Sequence, residues 1–326
     1  MSSLSARPDS FAAGGQGFAS EAAVARAELA AGLGQKQARI SPKFFYDALG
    51  SKLFEAICQL DEYYLTRAEA AILRGQAQEI AAAVGTGRVM IDLGAGNCAK
   101  AAGVFGVLKP RQYVPVDISA EFLAGAVAGL EAAFPALPML PVGMDFSETL
   151  VLPRQVEADG RLFFYPGSSI GNFTPLQAAQ CLGRMRAACG RDGAVLIGVD
   201  LVKEPAVLEA AYDDALGVTA AFNLNVLRHV NALLGTDFAI RGWRHVALFN
   251  EAQHRVEMHL EAVRDALVRW PGGSRAFAAG ERIHTENSYK YTERGFVEML
   301  AQAGFGEAKC WRGADGAFLV CHARAI

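Results

Sequence analysis

No apolar run in this chain reaches the roughly 18 to 20 residues needed to cross a bilayer, so a helical membrane span is not expected. Charge of one sign is missing as well. Against 34 Asp and Glu stand 31 Lys and Arg, a formal net charge of -3 with the signs interspersed. That leaves no electrostatic footprint for nucleic acid or an anionic membrane surface, and the expected partner is a small molecule or another protein. Cysteine is scarce: Cys58, Cys98, Cys181, Cys189, Cys310 and Cys321 are scattered, without the paired spacing of a zinc site. They read as reduced thiols of a cytoplasmic protein with no metal. Internal repeats and long polar tracts are absent too. With 52% apolar residues over 326, the chain has material for a large core and one or two domains. The opening "MSSLSARPDSFAAGGQGFAS" lacks the basic start and apolar centre of a secretory signal, and its Gly, Ser and Pro suggest a mobile arm over residues 1–20.

What is present begins with an Ala-rich helix from Glu21 to about Leu33, followed by apolar residues at helical spacing, Leu53, Phe54, Ile57 and Leu60. Thr66 and Glu69 have the spacing of a capping box for the next helix, and Arg67 is read as structural, pairing with an acid near a domain junction. From Arg88 strands and helices alternate: "RVMIDLGAGN", "RQYVPVDIS", "LPMLPVGMDF", "RLFFYPGSSIGNF" and "GAVLIGVDLV" are five strands with helices between them. Such alternation indicates a parallel, doubly wound sheet. It stops near Val202. A helical stretch from Glu204 to about Val230 follows, then alternating segments such as "RVEMHLEA" that suit an antiparallel sheet, and a closing pair of strands around an Asp-Gly turn. The doubly wound core therefore spans 68–202 and resumes at 291–326, while 21–67 and 203–290 form a second unit.

The turn "DLGAGNCA" sets Gly94, Gly96 and Ala99 in the G-x-G-x-x-A spacing of a nucleotide-binding fingerprint, with Asp117 ending the next strand. A nicotinamide-dependent oxidoreductase and an S-adenosylmethionine (SAM) methyltransferase could both begin this way. Asp92, just before the glycines, would welcome a cationic methionine end and repel a pyrophosphate. "GMDF" offers Asp145 for an adenine amine and Phe146 for its face. A terminal antiparallel hairpin also favours SAM, by analogy of fold.

The stretch "IHTENSYKY" alternates polar residues where a strand would bury apolar ones. If it is extended, His284, Glu286 and Ser288 share one face, either as a ligand grip or as a solvated edge.

Taken together, "FFYDALGSKLFEAI", "DEYYLTRAEAAIL", "DLGAGNCAKA", "PVDIS", "YPGSSIGNFTP", "HRVEMHL" and "TENSYKY" resemble the histidine N-alpha-methyltransferases of ergothioneine biosynthesis, over nearly the whole chain after residue 40. The resemblance implies an α/β fold, with a Rossmann-like class I SAM methyltransferase core and an α+β substrate-binding domain built from two chain segments. It implies trimethylation of L-histidine to hercynine, with SAM consumed and S-adenosylhomocysteine released; the protein itself is expected to be a monomer. On the cofactor side Tyr46, Gly94, Gly96, Lys100, Asp117, Asp145 and Phe146 take positions around SAM. On the substrate side Tyr64 is placed near the imidazole and Met258 in the wall of its pocket. Glu286 and Ser288 become the imidazole-binding pair, and Gly167 belongs to the loop after the fourth strand. Asn172 and Tyr212 are placed on the amino acid's α end, where they would orient the amine for transfer. His284 receives no role. Asn97 departs from the serine or threonine of many members. A relative acting on another amino acid, such as a tryptophan derivative, would be expected to lack the Glu286/Ser288 pair, and a noncatalytic SAM-binding protein would have no need of both sets of motifs.

Overall fold

The computed structural model describes the backbone from residue 15 to 326 and side chains from residue 22; residues 1–14 of the expected arm lie outside the described residues. Helix α1 (Gly15–Leu33) starts earlier than the sequence suggests, taking in residues 15–20. A 3₁₀ turn at Pro42–Phe45 leads to α2 (Ala48–Ile57), where the Asp47 side chain accepts the Gly50 N–H at 2.7 Å. Next come α3 (Tyr64–Gly75) and α4 (Ala77–Val84). The expected capping box does not form: α3 begins at Tyr64, two residues before Thr66, and Glu69 is buried instead of closing the helix start. Arg67 meets no acid and donates to the carbonyls of Leu60 (2.6 Å) and Asp61 (2.5 Å).

The alternating region then gives β1 (Val89–Leu93), α5 (Ala99–Leu108), β2 (Gln112–Asp117), α6 (Ala120–Ala133), β3 (Val142–Gly143), β4 (Arg161–Tyr165), α7 (Pro175–Ala188) and β5 (Ala194–Asp200). The third strand is cut to two residues, because Pro138 and Pro141 cannot donate to a ladder. The stretch expected as one helix after Glu204 is broken into α8 (Pro205–Ala210) and α9 (Val218–Leu234). Asp214 holds the break by accepting the N–H groups of Val218 (2.9 Å) and Thr219 (2.7 Å). Then follow β6 (Trp243–Asn250), β7 (Arg255–Ala262), β8 (Ala266–Trp270), β9 (Gly273–Phe277), β10 (Arg282–Tyr289), α10 (Glu293–Gln302), β11 (Phe305–Arg312) and β12 (Phe318–Ala325).

One seven-stranded sheet runs β11-β12-β5-β4-β1-β2-β3, parallel from β5 to β3, with β12 antiparallel to β5 and to β11. Its central strands are buried along their length, as continuous apolar runs covered on both faces by helices should be. A second, antiparallel sheet runs β10-β7-β6 and packs against α9; β8 and β9 form a separate hairpin. Two backbone seams hold β10 in place, one to the segment after α1 and one, at its end, to β5 of the large sheet. Ile40 N–H donates to His284 O and His284 N–H to Ala38 O, both at 2.9 Å, while Tyr291 N–H donates to Asp200 O at 2.9 Å. No described helix is long and apolar enough to cross a membrane.

Candidate active site

Strand order reverses between β4 and β1, and in open α/β sheets ligands bind outside the carboxyl ends of the strands at such a point. A cavity of about 1280 Å³ opens there. Gly94 and Gly96, at φ of 68° and 52°, turn the chain from β1 toward α5 through backbone that a side chain would strain. Gly96 N–H donates to Asp117 Oδ2 at 3.0 Å, which fixes the carboxylate at the end of β2. Asp145 and Phe146 line the same cavity from the loop after β3, and the Phe146 ring stands edge-on to Tyr165, centroids 5.6 Å apart. Lys43 reaches across the rim to Asp145 (3.3 Å) and to Glu28 of α1 (2.7 Å). Asn97 serves its own loop, where its side-chain oxygen accepts the Ala99 N–H at 3.1 Å at the start of α5.

Asp92 is 1% exposed. Its Oδ2 accepts from the Tyr113 hydroxyl at 2.7 Å, but Oδ1 has no partner. Burial pushes the carboxyl up to about 7, against the pull of the Tyr113 bond and of Lys100. Lys100 also lines the cavity, with its ammonium 2.8 Å from Glu69. The other Glu69 oxygen accepts the Gly167 N–H at 2.8 Å, so one carboxylate ties α3, α5 and the loop after β4 together.

Beside the large cavity lies a smaller pocket of about 50 Å³, whose walls include Tyr46, Gly167 and Asn172 in common with it. Its far side is made by Tyr212, in the break between α8 and α9, and by Met258, Glu286 and Ser288 on paired strands β7 and β10. The structure thus brings together every residue the sequence singled out except Tyr64. That side chain points away from both cavities and donates to Asp200 Oδ2 at 2.7 Å, beneath the Lys203 ammonium at 2.6 Å. Tyr63, one residue earlier, lines the pocket and meets Tyr212 edge-on with centroids 6.2 Å apart. Tyr63, not Tyr64, is thus the tyrosine of this pair in the pocket wall; Tyr64 is the first helical residue and faces the sheet.

Strict alternation also fails at the one place it mattered. The β10–β7 register slips between His284 and Glu286, where Thr285 bulges out and donates to Met258 O at 3.0 Å. The slip carries His284 off the face of Glu286 and Ser288, and His284 pairs with Asn287 at 2.8 Å instead. Burial pushes the Glu286 carboxyl up to about 7, with Lys290 the charge that opposes it.

Residues 25–325 match the family described as "histidine-specific methyltransferase, SAM-dependent". The chain belongs to this family. A histidine N-alpha-methyltransferase from Mycolicibacterium smegmatis is 38% identical, over 92% of this chain and 94% of that protein. One from Mycobacterium tuberculosis is 37% identical, over 90% and 92%. Ergothioneine biosynthesis protein 1 of Neurospora crassa is 31% identical over 82% of this chain, which spans 31% of that longer protein. Among solved structures, the PH0226 protein of Pyrococcus horikoshii aligns with 12% identity and a TM-score of 0.48, over 86% of this chain and all of that one.

Several residues of this histidine-specific methyltransferase leave no mark in the sequence pattern. Phe54, Phe222 and Thr219 line the small pocket, yet each sits in an ordinary amphipathic helix pattern. Glu69, Asp200 and Lys290 are buried charges, and the pairings of Glu69 with Lys100 and of Asp200 with Lys290 join positions far apart in sequence.

Proposed function

We propose that this methyltransferase transfers three methyl groups from SAM to the α-amino nitrogen of L-histidine, giving hercynine in the first step of ergothioneine biosynthesis. The small pocket carries the reading. Its volume of about 50 Å³ has room for about four waters, the bulk of a five-membered ring. A carboxylate and a hydroxyl in its wall match the two nitrogens of an imidazole. Shape alone would discriminate by only about 1 to 3 kcal/mol per methylene, whereas a charge-assisted bond to Glu286 is about twice as strong as a neutral one. The names of the two mycobacterial relatives point the same way.

SAM supplies an electrophilic methyl group on a sulfonium. The residues present fit it: the unpartnered Asp92 oxygen suits a cationic amine, Asp117 the ribose hydroxyls, and Asp145 with Phe146 the adenine. The protein's share of the work is position. Asn172 lines both cavities, so it and Tyr212 would hold the α end of histidine at their junction with the ring seated on Glu286 and Ser288. The amine must present a lone pair at each transfer, and no base stands at that junction, so its proton leaves to water. The division into a substrate-binding unit (21–67, 203–290) and a SAM-binding unit (68–202, 291–326) is supported by the seven-stranded sheet, which draws every strand from the second pair of segments. Six free thiols support a reducing, cytoplasmic compartment, and a monomer is proposed with it.

Mass spectrometry after incubation with SAM and each of the twenty amino acids tests the reading. A trimethylated product from histidine alone is expected; equal turnover of another amino acid would overturn the substrate assignment.

A further inference from the structure

Lys290 lies behind the small pocket and is not part of its wall. Its side chain is 0% exposed, and its ammonium meets three acceptors: Asp200 Oδ2 at 2.9 Å, Ser288 Oγ at 2.8 Å and the Tyr212 hydroxyl at 3.1 Å. A lysine has three N–H donors, so all are engaged. Asp200 is also fully buried and is held in turn by Tyr64, by Lys203 at 2.6 Å and by its own N–H, which donates to Ser168 Oγ at 2.9 Å. Burial opposes the charge on Lys290, but the Asp200 carboxylate and the Tyr212 oxygen outweigh it and hold the amine above the ordinary lysine range.

The hydroxyls of Tyr212 and Ser288 are 2.6 Å apart. Each already accepts a hydrogen from Lys290, and one of their own two hydrogens must lie between them. A phenol is the stronger donor and an aliphatic hydroxyl the better acceptor, so the Tyr212 hydrogen takes the shared bond. Both Ser288 lone pairs are then occupied, by Lys290 and Tyr212, and its own hydrogen is the one left for the pocket.

We infer that Lys290 is a positioning residue for substrate selection: by saturating the Tyr212–Ser288 pair it makes Ser288 a donor only, so the pocket accepts a neutral imidazole, with its N–H on Glu286 and its bare nitrogen on Ser288. The imidazolium form, and rings without an acceptor nitrogen, are rejected. Charge acts in the same direction, because Lys290, Lys203 and Asp200 together carry a net positive charge behind Ser288. Around Glu286 stand Tyr46, Tyr63 and Tyr212 from the other elements, and among the described residues Lys290 is the cation that acts on it. The inference rests on histidine being the substrate, and its test separates the two.

Nitrogen NMR of ring-labelled histidine, bound to the wild-type protein with S-adenosylhomocysteine, reads the ring directly. Near pH 6, below the ordinary histidine value of about 6.5, free histidine is mostly imidazolium. The bound ring is expected to show one pyrrole-type and one pyridine-type nitrogen; two pyrrole-type signals overturn the inference. In Lys290→Met the KM for histidine should rise about tenfold or more while SAM affinity stays within about twofold, the size of a lost charged hydrogen bond confined to one site. Lys290→Gln keeps donors without the charge. It should restore most of the histidine KM, yet leave the acid limb of kcat/KM displaced to higher pH, because nothing then opposes burial at Glu286. An unchanged histidine KM in a folded Lys290→Met also overturns the inference. A wild-type protein that never methylates histidine defeats the functional reading instead. If neither variant folds, the wild-type spectrum still decides.

Discussion

Two buried carboxylates, Glu286 and Asp92, are held near neutrality by burial, one on each side of the site. On the function proposed above, each would find its charged partner in a bound ligand. Replacing Glu286 with Ala removes a charge-assisted bond, an effect of roughly 1.5 to 3 kcal/mol. The KM for histidine should rise about 10- to 100-fold, with the dissociation constant for SAM unmoved in calorimetry; equal small changes in both would remove Glu286 from ring recognition. Asp92 gives the complementary test. Its carboxyl is neutral below about 7 and anionic above it, and only the anion pairs with a cationic amine. SAM affinity should therefore weaken as pH falls through 7, by up to about tenfold per unit, and Asp92→Asn should flatten that dependence. Tyr63 and Tyr64 show the limit of sequence at this scale. Both stand at a helix start in "EYYLTR", and only the observed entry of the chain into α3 shows which one reaches the pocket.

At the scale of elements, β10 is where local pattern and outcome part. Period-2 reasoning correctly put Glu286 and Ser288 on one face, but it added His284, which the Thr285 bulge removes. The bulge sets which residues of "HTENS" meet the pocket, so deleting Thr285 should restore strict alternation and shift the strand against Met258. Expected is loss of histidine methylation with SAM binding retained; methylation at the native rate in a folded deletion variant would show the bulge to be irrelevant. The break between α8 and α9 is a second such device. The sequence from Glu204 to Val230 carries helical spacing throughout, yet Asp214 and Gly217 (φ 75°) stop one helix and start another. Tyr212 owes its place in the pocket to that interruption.

Across the whole molecule, the site exists because distant segments are pinned together. Glu69 of α3 binds Lys100 of α5 and the loop carrying Gly167, and it packs so closely on β5 that a side chain at Gly198 would collide with it. Glu69→Ala leaves the Gly167 N–H without its partner, while Lys100, 37% exposed, can turn to water. Denaturant titration should show a loss of about 2 kcal/mol, below the roughly 3 to 5 expected when both charges are buried. Turnover should fall as well, because Gly167 borders both cavities. A stability loss with native turnover would confine Glu69 to a structural part.

The sequence by itself determined the parallel sheet, the glycine turn at its switch point, the antiparallel second sheet and about half of the small pocket's wall. Those features are written in local signals: apolar runs, alternation, turn residues, and motifs whose members lie within a few positions of each other. What only the tertiary structure decided are the features that join remote parts of the chain. They include Tyr63 rather than Tyr64 in the small pocket's wall, His284 on the large cavity rather than in that pocket, and the unpartnered oxygen of Asp92. The network of Lys290, Asp200, Tyr212 and Ser288 belongs with them. A buried charge is stable only beside its partner, and partners brought together from β5, the α8–α9 break and β10 leave no pattern along the sequence for a reader to find.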